Sequence, residues 1–324
     1  MTYVHKSDGI LVKEDMLDKV GSIDAIIFDC DGVLVDVSKS YDLAIIQVTQ
    51  YVLEKFAGIQ SIQITPEIIG GFKDSGGFND EVDVTYACIL CLAAAERMGV
   101  DAKKFILAAI KNADKSGIES IERFLLLQNA DVSDLKEALD YPGPHATNPL
   151  YVIFDQMFYG PELYYKIFGK KSSFEQPGLI ENDLVIITDT LLDALGEKFG
   201  RKIAIVTGRG LASVRHSLGE LLDRFDVASS MFLEDEPRSM AKPNPESLLS
   251  TIKKLDSKHC MYVGDSMEDL LMANQANRLG IKTTFCGIYG TNKNPRAKKE
   301  FFEDKDAPLI LESINLLPKA LNLA

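Results

Sequence analysis

Phe28-Asp29-Cys30-Asp31-Gly32-Val33-Leu34-Val35-Asp36, FDCDGVLVD, closes an apolar run that begins at Ile23. A short run of branched and aromatic residues bounded by a glycine reads as a buried β-strand. Carboxylates are costly to bury, so two aspartates one residue apart belong at the strand's end, where it opens into a crevice. Residues two apart on a strand share a face, which points Asp29 and Asp31 into one pocket. Open parallel sheets bind ligands at the carboxyl ends of their strands. The stretch therefore reads as a site for Mg²⁺ and phosphoryl transfer, and the rest of the chain has to supply its partners.

Working outward, residues 38 to about 185 are mostly helical in pattern, and no strand stands out there. Leu43, Ile46, Val48, Val52, Leu53 and Phe56 recur at helical spacing before Gly58, and Thr65-Pro66-Glu67 is a helix start. Gly70 to Asp80 reads as a glycine-dense loop between helices, and a long apolar helix follows it through Ala95. After Pro177-Gly178 the pattern changes. Strands at 202–206, around 231–233, at 260–263 and at 281–286 alternate with helices at 188–199, 211–218, 245–255 and from 265 through 276. Such alternation builds a parallel sheet with helices on its faces. The lone strand ending at Asp29 must join that sheet. The expected core is therefore discontinuous, residues 1–37 and 186–324, with a helical insertion over 38–185. Residues 1–22 suggest one short amphipathic element packed outside a domain, and 290–324 show no clear role.

The chain of 324 residues carries a net charge of -13, which disfavours nucleic acid as a partner. Cys30, Cys88, Cys91, Cys260 and Cys286 are too few for a disulfide framework and lie in apolar runs, which fits a reducing, cytoplasmic setting. Cys88 and Cys91 form a C-x-x-C inside a helical run, with no second pair nearby to complete a zinc site. They read as core packing. The N-terminus lacks a signal-peptide core, and the most apolar helix is too short to span a bilayer. The expectation is a soluble protein acting on a small molecule.

Four stretches at strand ends or helix starts carry the chemistry: Asp29/Asp31, Thr207-Gly208-Arg209, Lys242 ahead of Pro243-Asn244-Pro245-Glu246, and Gly264-Asp265-Ser266-Met267-Glu268-Asp269. Phosphoryl transfer through a carboxylate needs an ionised Asp as nucleophile and an acid/base for the leaving oxygen. It also needs a hydroxyl and N–H groups for the phosphoryl oxygens, a fixed cation, and Mg²⁺ on hard oxygen ligands. Each requirement is met once.

In this order the stretches resemble the motifs of the haloacid dehalogenase superfamily of phosphohydrolases. FDCDGVLVD matches D-x-D-G-T/V, Val206 to Arg209 matches the strand ending in Thr or Ser, Lys242 matches the third motif, and Gly264 to Asp269 matches G-D-x-x-x-D. The resemblance covers residues 23–36 and about 186–290. The insert after the first motif is similar to the helical-cap branch, which includes phosphoglycolate phosphatase and β-phosphoglucomutase, though it is longer than usual. The resemblance implies a three-layer, Rossmann-like α/β core with a helical cap. It implies Asp29 as nucleophile, Asp31 as acid/base, Thr207 on a phosphoryl oxygen, and Lys242 orienting Asp29. It further implies Mg²⁺ held by Asp29, the Asp31 carbonyl and Asp265, with Asp269 a ligand or a supporting partner. Asp31 argues against dehalogenation, which needs no acid for an alcohol leaving group.

Gly208 and Arg209 are further substrate candidates, Arg209 being equally readable as a surface ion pair. In the glycine-dense loop, Lys73, Phe78 and Asn79 are candidates for the substrate's non-phosphate end, with an interhelical turn as the plain alternative. His5, His145, His216 and His259 fall in no motif. The reading is Mg²⁺-dependent hydrolysis of a small phosphomonoester through an aspartyl phosphate. A phosphomutase and a non-catalytic binding protein on the same fold are the alternatives.

Overall fold

The computed structural model of the chain describes residues 2–60, 64–78 and 80–323. Its strands are β1 (Tyr3–Ser7), β2 (Ile10–Lys13), β3 (Ala25–Phe28), β4 (Val35–Asp36), β5 (Leu184–Val185), β6 (Ile203–Thr207), β7 (Met231–Phe232), β8 (Cys260–Gly264), β9 (Thr283–Ile288) and β10 (Leu309–Leu311). Among the described residues, eight of them form one sheet in the order β1-β2-β10-β9-β8-β3-β6-β7. From β10 to β7 every pairing is parallel, and β1 and β2 run antiparallel at one edge. β3 lies at the centre between β6 and β8, with Phe28 in register with Ile205 and Val263.

Strand alternation shows why the sheet is covered on both faces. Ile26 and Phe28, with Ile203, Ile205, Met261 and Val263, pack into one apolar cluster together with Leu191, Leu195 and Val214. Ala25 and Ile27, with Ala204, Val206, Cys260 and Tyr262, pack into a second cluster with Leu248, Ile252, Leu270 and Phe302. Successive side chains point to opposite faces, so an unbroken apolar strand needs two apolar partners. The result is a three-layer α/β core.

One expectation is corrected at the edge of this sheet, and the tail gains a role there. The leader is not an amphipathic element packed outside. Ile10, Leu11 and Val12 are buried in β2, which pairs with β10 (Val12 with Leu309). The tail beyond residue 290 supplies helix Pro295–Asp304 and then β10, which pairs with β9. The two chain ends therefore complete the sheet together.

The chain divides into two compact units, residues 1–38 with 183–324, and residues 39–182. The second unit contains α1 (Ser40–Val52), α2 (Pro66–Asp74), α3 (Glu81–Met98), α4 (Ala102–Asn112), α5 (Ile118–Leu127), α6 (Ser133–Leu139) and α7 (Pro149–Phe168). α3 is buried without interruption from Val84 to Ala95, as expected of a helix that is apolar all round and surrounded by others. Asp80 caps its first turn, its side chain accepting from the N–H of Val82. Cys88 and Cys91 lie inside that run, in the unit's apolar core. α7 is broken at Gly160, whose φ of 70° no ordinary side chain tolerates well. Within the first unit, the strands on either side of the insertion, β4 and β5, pair antiparallel, Val35 with Val185 and Asp36 with Leu184. The expectation of no strand before residue 186 is corrected by β5.

Candidate active site

The carboxyl ends of β6, β3 and β8 lie side by side and deliver Thr207, Asp29 and Gly264-Asp265. Asp29 continues the ladder by one residue, donating its N–H to the Val263 carbonyl at 2.8 Å. Its Oδ1 accepts from the Cys30 N–H at 2.8 Å. Gly32 follows at φ 71°, and a Cβ there would run into the Asp265 carboxylate. Glycine is therefore what lets the loop after β3 close onto the loop after β8. Thr291 ties the same loop from the other side, donating to the Gly32 carbonyl at 2.7 Å.

Lys242 is the hub of charge. Its Nζ lies 2.8 Å from Asp29 Oδ1 and 2.7 Å from Asp269 Oδ1. Burial opposes its charge, but the Asp269 and Asp29 carboxylates outweigh burial and hold the ammonium well above the usual lysine range. Asp269 is fully buried. Burial would raise its pKa, yet Lys242, Ser266 and Tyr262 together hold it below the usual range. Its Oδ1 also accepts from the Tyr262 hydroxyl, and its Oδ2 accepts from the Ser266 N–H and hydroxyl. Ser266 and Asp269 thereby form a capping box on α11 (Met267–Arg278), counting α8 as Asp189–Phe199, α9 as Leu211–Leu218 and α10 as Glu246–Lys254.

Asp29 and Asp265 are less well compensated. Burial pushes Asp29 up to about 7, with Lys242 opposing and Asp269 and Asp31 adding to the rise. Burial likewise pushes Asp265 up to about 6, against Lys298 and with help from Asp269 and Asp29. Carboxylate oxygens of Asp29, Asp265 and Asp269 come within 4.8 Å of one another. Hard oxygen donors crowded around a single lysine fit a small hard cation, whose charge would relieve the repulsion that raises Asp29 and Asp265. Four donors already engage Asp269, so its place in such a site is to support Lys242 rather than to lead the ligand set.

The remaining candidates divide. Thr207 is buried, and its Oγ1 accepts from the Arg209 N–H at 3.3 Å. Gly208 has open space where a Cβ would stand. Arg209 is no surface ion pair, because it is 3% exposed. Its Nε lies 2.5 Å from Asp31 Oδ1, and its Nη1 lies 2.7 Å from Asp183 Oδ2.

In the helical unit, the expected loop over Gly70 to Asp80 is half helix, because α2 continues through Asp74. Lys73 stands on that helix and pairs with Glu81 at 2.9 Å. Phe78 is buried against Phe72, their ring centres 5.1 Å apart. Asn79 lies outside the described residues. Sequence reasoning missed Asp183, Thr291 and Tyr262, which carry no motif. The Ser266-x-x-Asp269 spacing was a readable sign of the capping box.

A family model described as haloacid dehalogenase-like hydrolase matches residues 23–277. No curated protein matches the chain significantly. Among solved structures, Phosphatase Tt82 from Thermococcus thioreducens is 22% identical with a TM-score of 0.57, covering 86% of this chain and 98% of its own. A "predicted phosphoglycolate phosphatase" from Haemophilus somnus is 15% identical with a TM-score of 0.49, covering 92% and 97%. A HAD hydrolase, family IA, variant 3 from Entamoeba histolytica is 14% identical with a TM-score of 0.47, covering 93% and 99%. No helix among the described residues is long and apolar enough to cross a membrane.

Proposed function

The chain belongs to the haloacid dehalogenase-like hydrolases, and from that premise we propose that it is a Mg²⁺-dependent phosphatase of a small phosphorylated metabolite. The observation that carries this reading is the Lys242 ammonium held between Asp29 and Asp269 at 2.8 and 2.7 Å, beside Asp265. A carboxylate oriented by a buried cation at a strand end is what a phosphoryl nucleophile requires. Asp29, Asp265 and the Asp31 carbonyl would hold Mg²⁺, which when bound neutralises charge on the phosphoryl oxygens.

In the first step an Asp29 oxygen bonds to phosphorus as the ester P–O bond breaks. The electron pair stays on the leaving oxygen, which takes a proton from Asp31. In the second step water attacks phosphorus and gives its proton to Asp31, and the bond to Asp29 breaks to release phosphate. Thr207 and nearby backbone N–H groups would hold phosphoryl oxygens through both steps. Lys242 opposes the rise in the Asp29 pKa and orients its carboxylate, and Asp269 keeps Lys242 in place. Residues 38–185 are our candidate for the cap of the family's helical-cap branch. The five cysteines, all unpaired and buried, suit a cytoplasmic location.

A panel of phosphometabolites and p-nitrophenyl phosphate, scored by phosphate release with Mg²⁺, tests the reading. Asp29→Asn should drop turnover to background with the circular dichroism spectrum unchanged. Unchanged turnover in that variant overturns the mechanism. Formation of an isomeric sugar phosphate without free phosphate would mark a mutase.

A further inference from the structure

Arg209, the last residue of the second sequence stretch, links the site to Asp183, which lies in none of the four. Its side chain is 2% exposed, and its two edges face two different carboxylates. Nε meets Asp31 Oδ1, while Nη1 meets Asp183 Oδ2 at 2.7 Å and the Ser217 hydroxyl at 2.9 Å. Ser217 in turn donates to Asp183 Oδ2 at 2.8 Å. Asp183 is as buried as Arg209, its side chain 3% exposed, whereas that of Asp31 is 29% exposed. The chain of contacts thus runs from a dry anchor to a carboxylate at the mouth of the site. A guanidinium is a rigid planar fork, so fixing one edge fixes the direction of the other.

The anchor's location follows from the chain path. Asp183 immediately precedes β5, whose Leu184 and Val185 pair with Asp36 and Val35, and Val35 in turn bridges to Asp31. Ser217 comes from the last turn of α9, the helix that Arg209 leads into.

We propose that Arg209, anchored by Asp183 and Ser217, is a positioning residue that fixes the Asp31 carboxylate for proton transfer to the leaving group. The assignment rests on the phosphatase reading above. Arg209 Nε forms an ion pair with Oδ1 of Asp31, and proton transfer is assigned to the other oxygen, Oδ2. As the ester P–O bond breaks, the Oδ2 proton passes to the leaving oxygen. In the second half Oδ2 receives a proton from the attacking water. Arg209 touches neither reacting atom and is dry at both edges, so it is not a substrate contact.

The dependence of rate on leaving group separates this role from a structural one. Nitrophenolate leaves readily without a proton, whereas phenolate needs one. Wild type, Asp183→Asn, Arg209→Lys and Arg209→Gln are compared on a series of substituted phenyl phosphates with Mg²⁺. Asp183→Asn keeps the side-chain shape and carries the test should the Arg209 variants fail to fold, as judged by circular dichroism. The expected result is a loss in kcat on the order of 10²-fold for phenyl phosphate and only several-fold for p-nitrophenyl phosphate. Arg209→Lys, which keeps the charge but lacks the fork, should show the same split. Equal slowing across the series overturns the assignment, as does a rise in KM alone, which would make Arg209 a substrate contact. Absence of phosphate release by the wild type from every member overturns the phosphatase reading and the assignment with it.

Discussion

Lys242 shows how much a single residue can hold together. Its ammonium is the shared partner of Asp29 and Asp269, both buried. Removing one member of a buried, hydrogen-bonded ion network leaves the others as uncompensated charge, which costs about 3–5 kcal/mol. Lys242→Met should therefore lower unfolding stability by about that amount in urea titrations, in addition to losing activity. A loss under about 1 kcal/mol would place the network in the weak class of exposed pairs. At this scale the motif residues were legible because their chemistry is rare at strand ends. The partners were not. Asp269 reads equally well as a metal ligand until Tyr262 and Ser266 are seen on its oxygens. Phe78 beside two glycines looks available until Phe72 is seen against it. Nothing within a few residues of either position records those neighbours.

Elements were legible where their periodicity is strong. β3, β6 and β8 could be read as unbroken apolar runs, whose side chains distribute to two apolar clusters. α2 was read short because Gly70 and Gly71 look like a loop, yet the helix runs through both to Asp74. Ile68, Ile69 and Phe72 on its buried face override the modest helix penalty of glycine. Where β8 begins, His259 is tied through Nδ1 to Ser22 and through Nε2 to Thr284, each at 2.8 Å. Burial, with Lys282 nearby, pushes its pKa down from 6.5 to about 4. The folded state therefore keeps it neutral while the unfolded chain takes up a proton, so its contribution is present above pH 6.5 and fades as pH falls toward 4. Wild type should lose urea stability across that window faster than His259→Gln. Parallel loss in the two proteins would assign the acid sensitivity to other groups.

For the whole molecule, the site depends on three neighbouring parallel strands, β6, β3 and β8, whose residues lie far apart in the chain. Binding of a cation to the folded state alone should stabilise all of it by mass action. Mg²⁺ at about 100 times its Kd should add about 2.7 kcal/mol, read as a rise in Tm that EDTA reverses. Asp265→Asn should abolish that rise, and a full rise in the variant would remove Asp265 from the ligand set. By itself the sequence determined that a parallel, doubly covered sheet exists and named Asp29, Asp31, Thr207, Lys242 and Asp265 as candidates for its chemistry, because apolar runs alternating with helices and charge at strand ends are local signals. Only the tertiary structure decided that the leader and tail complete the sheet, that Lys242 is shared between two aspartates, and that Asp183 backs Arg209 onto Asp31. These are pairings between distant residues with no local signature. They arise because buried charge must find a partner and sheet edges must find a strand.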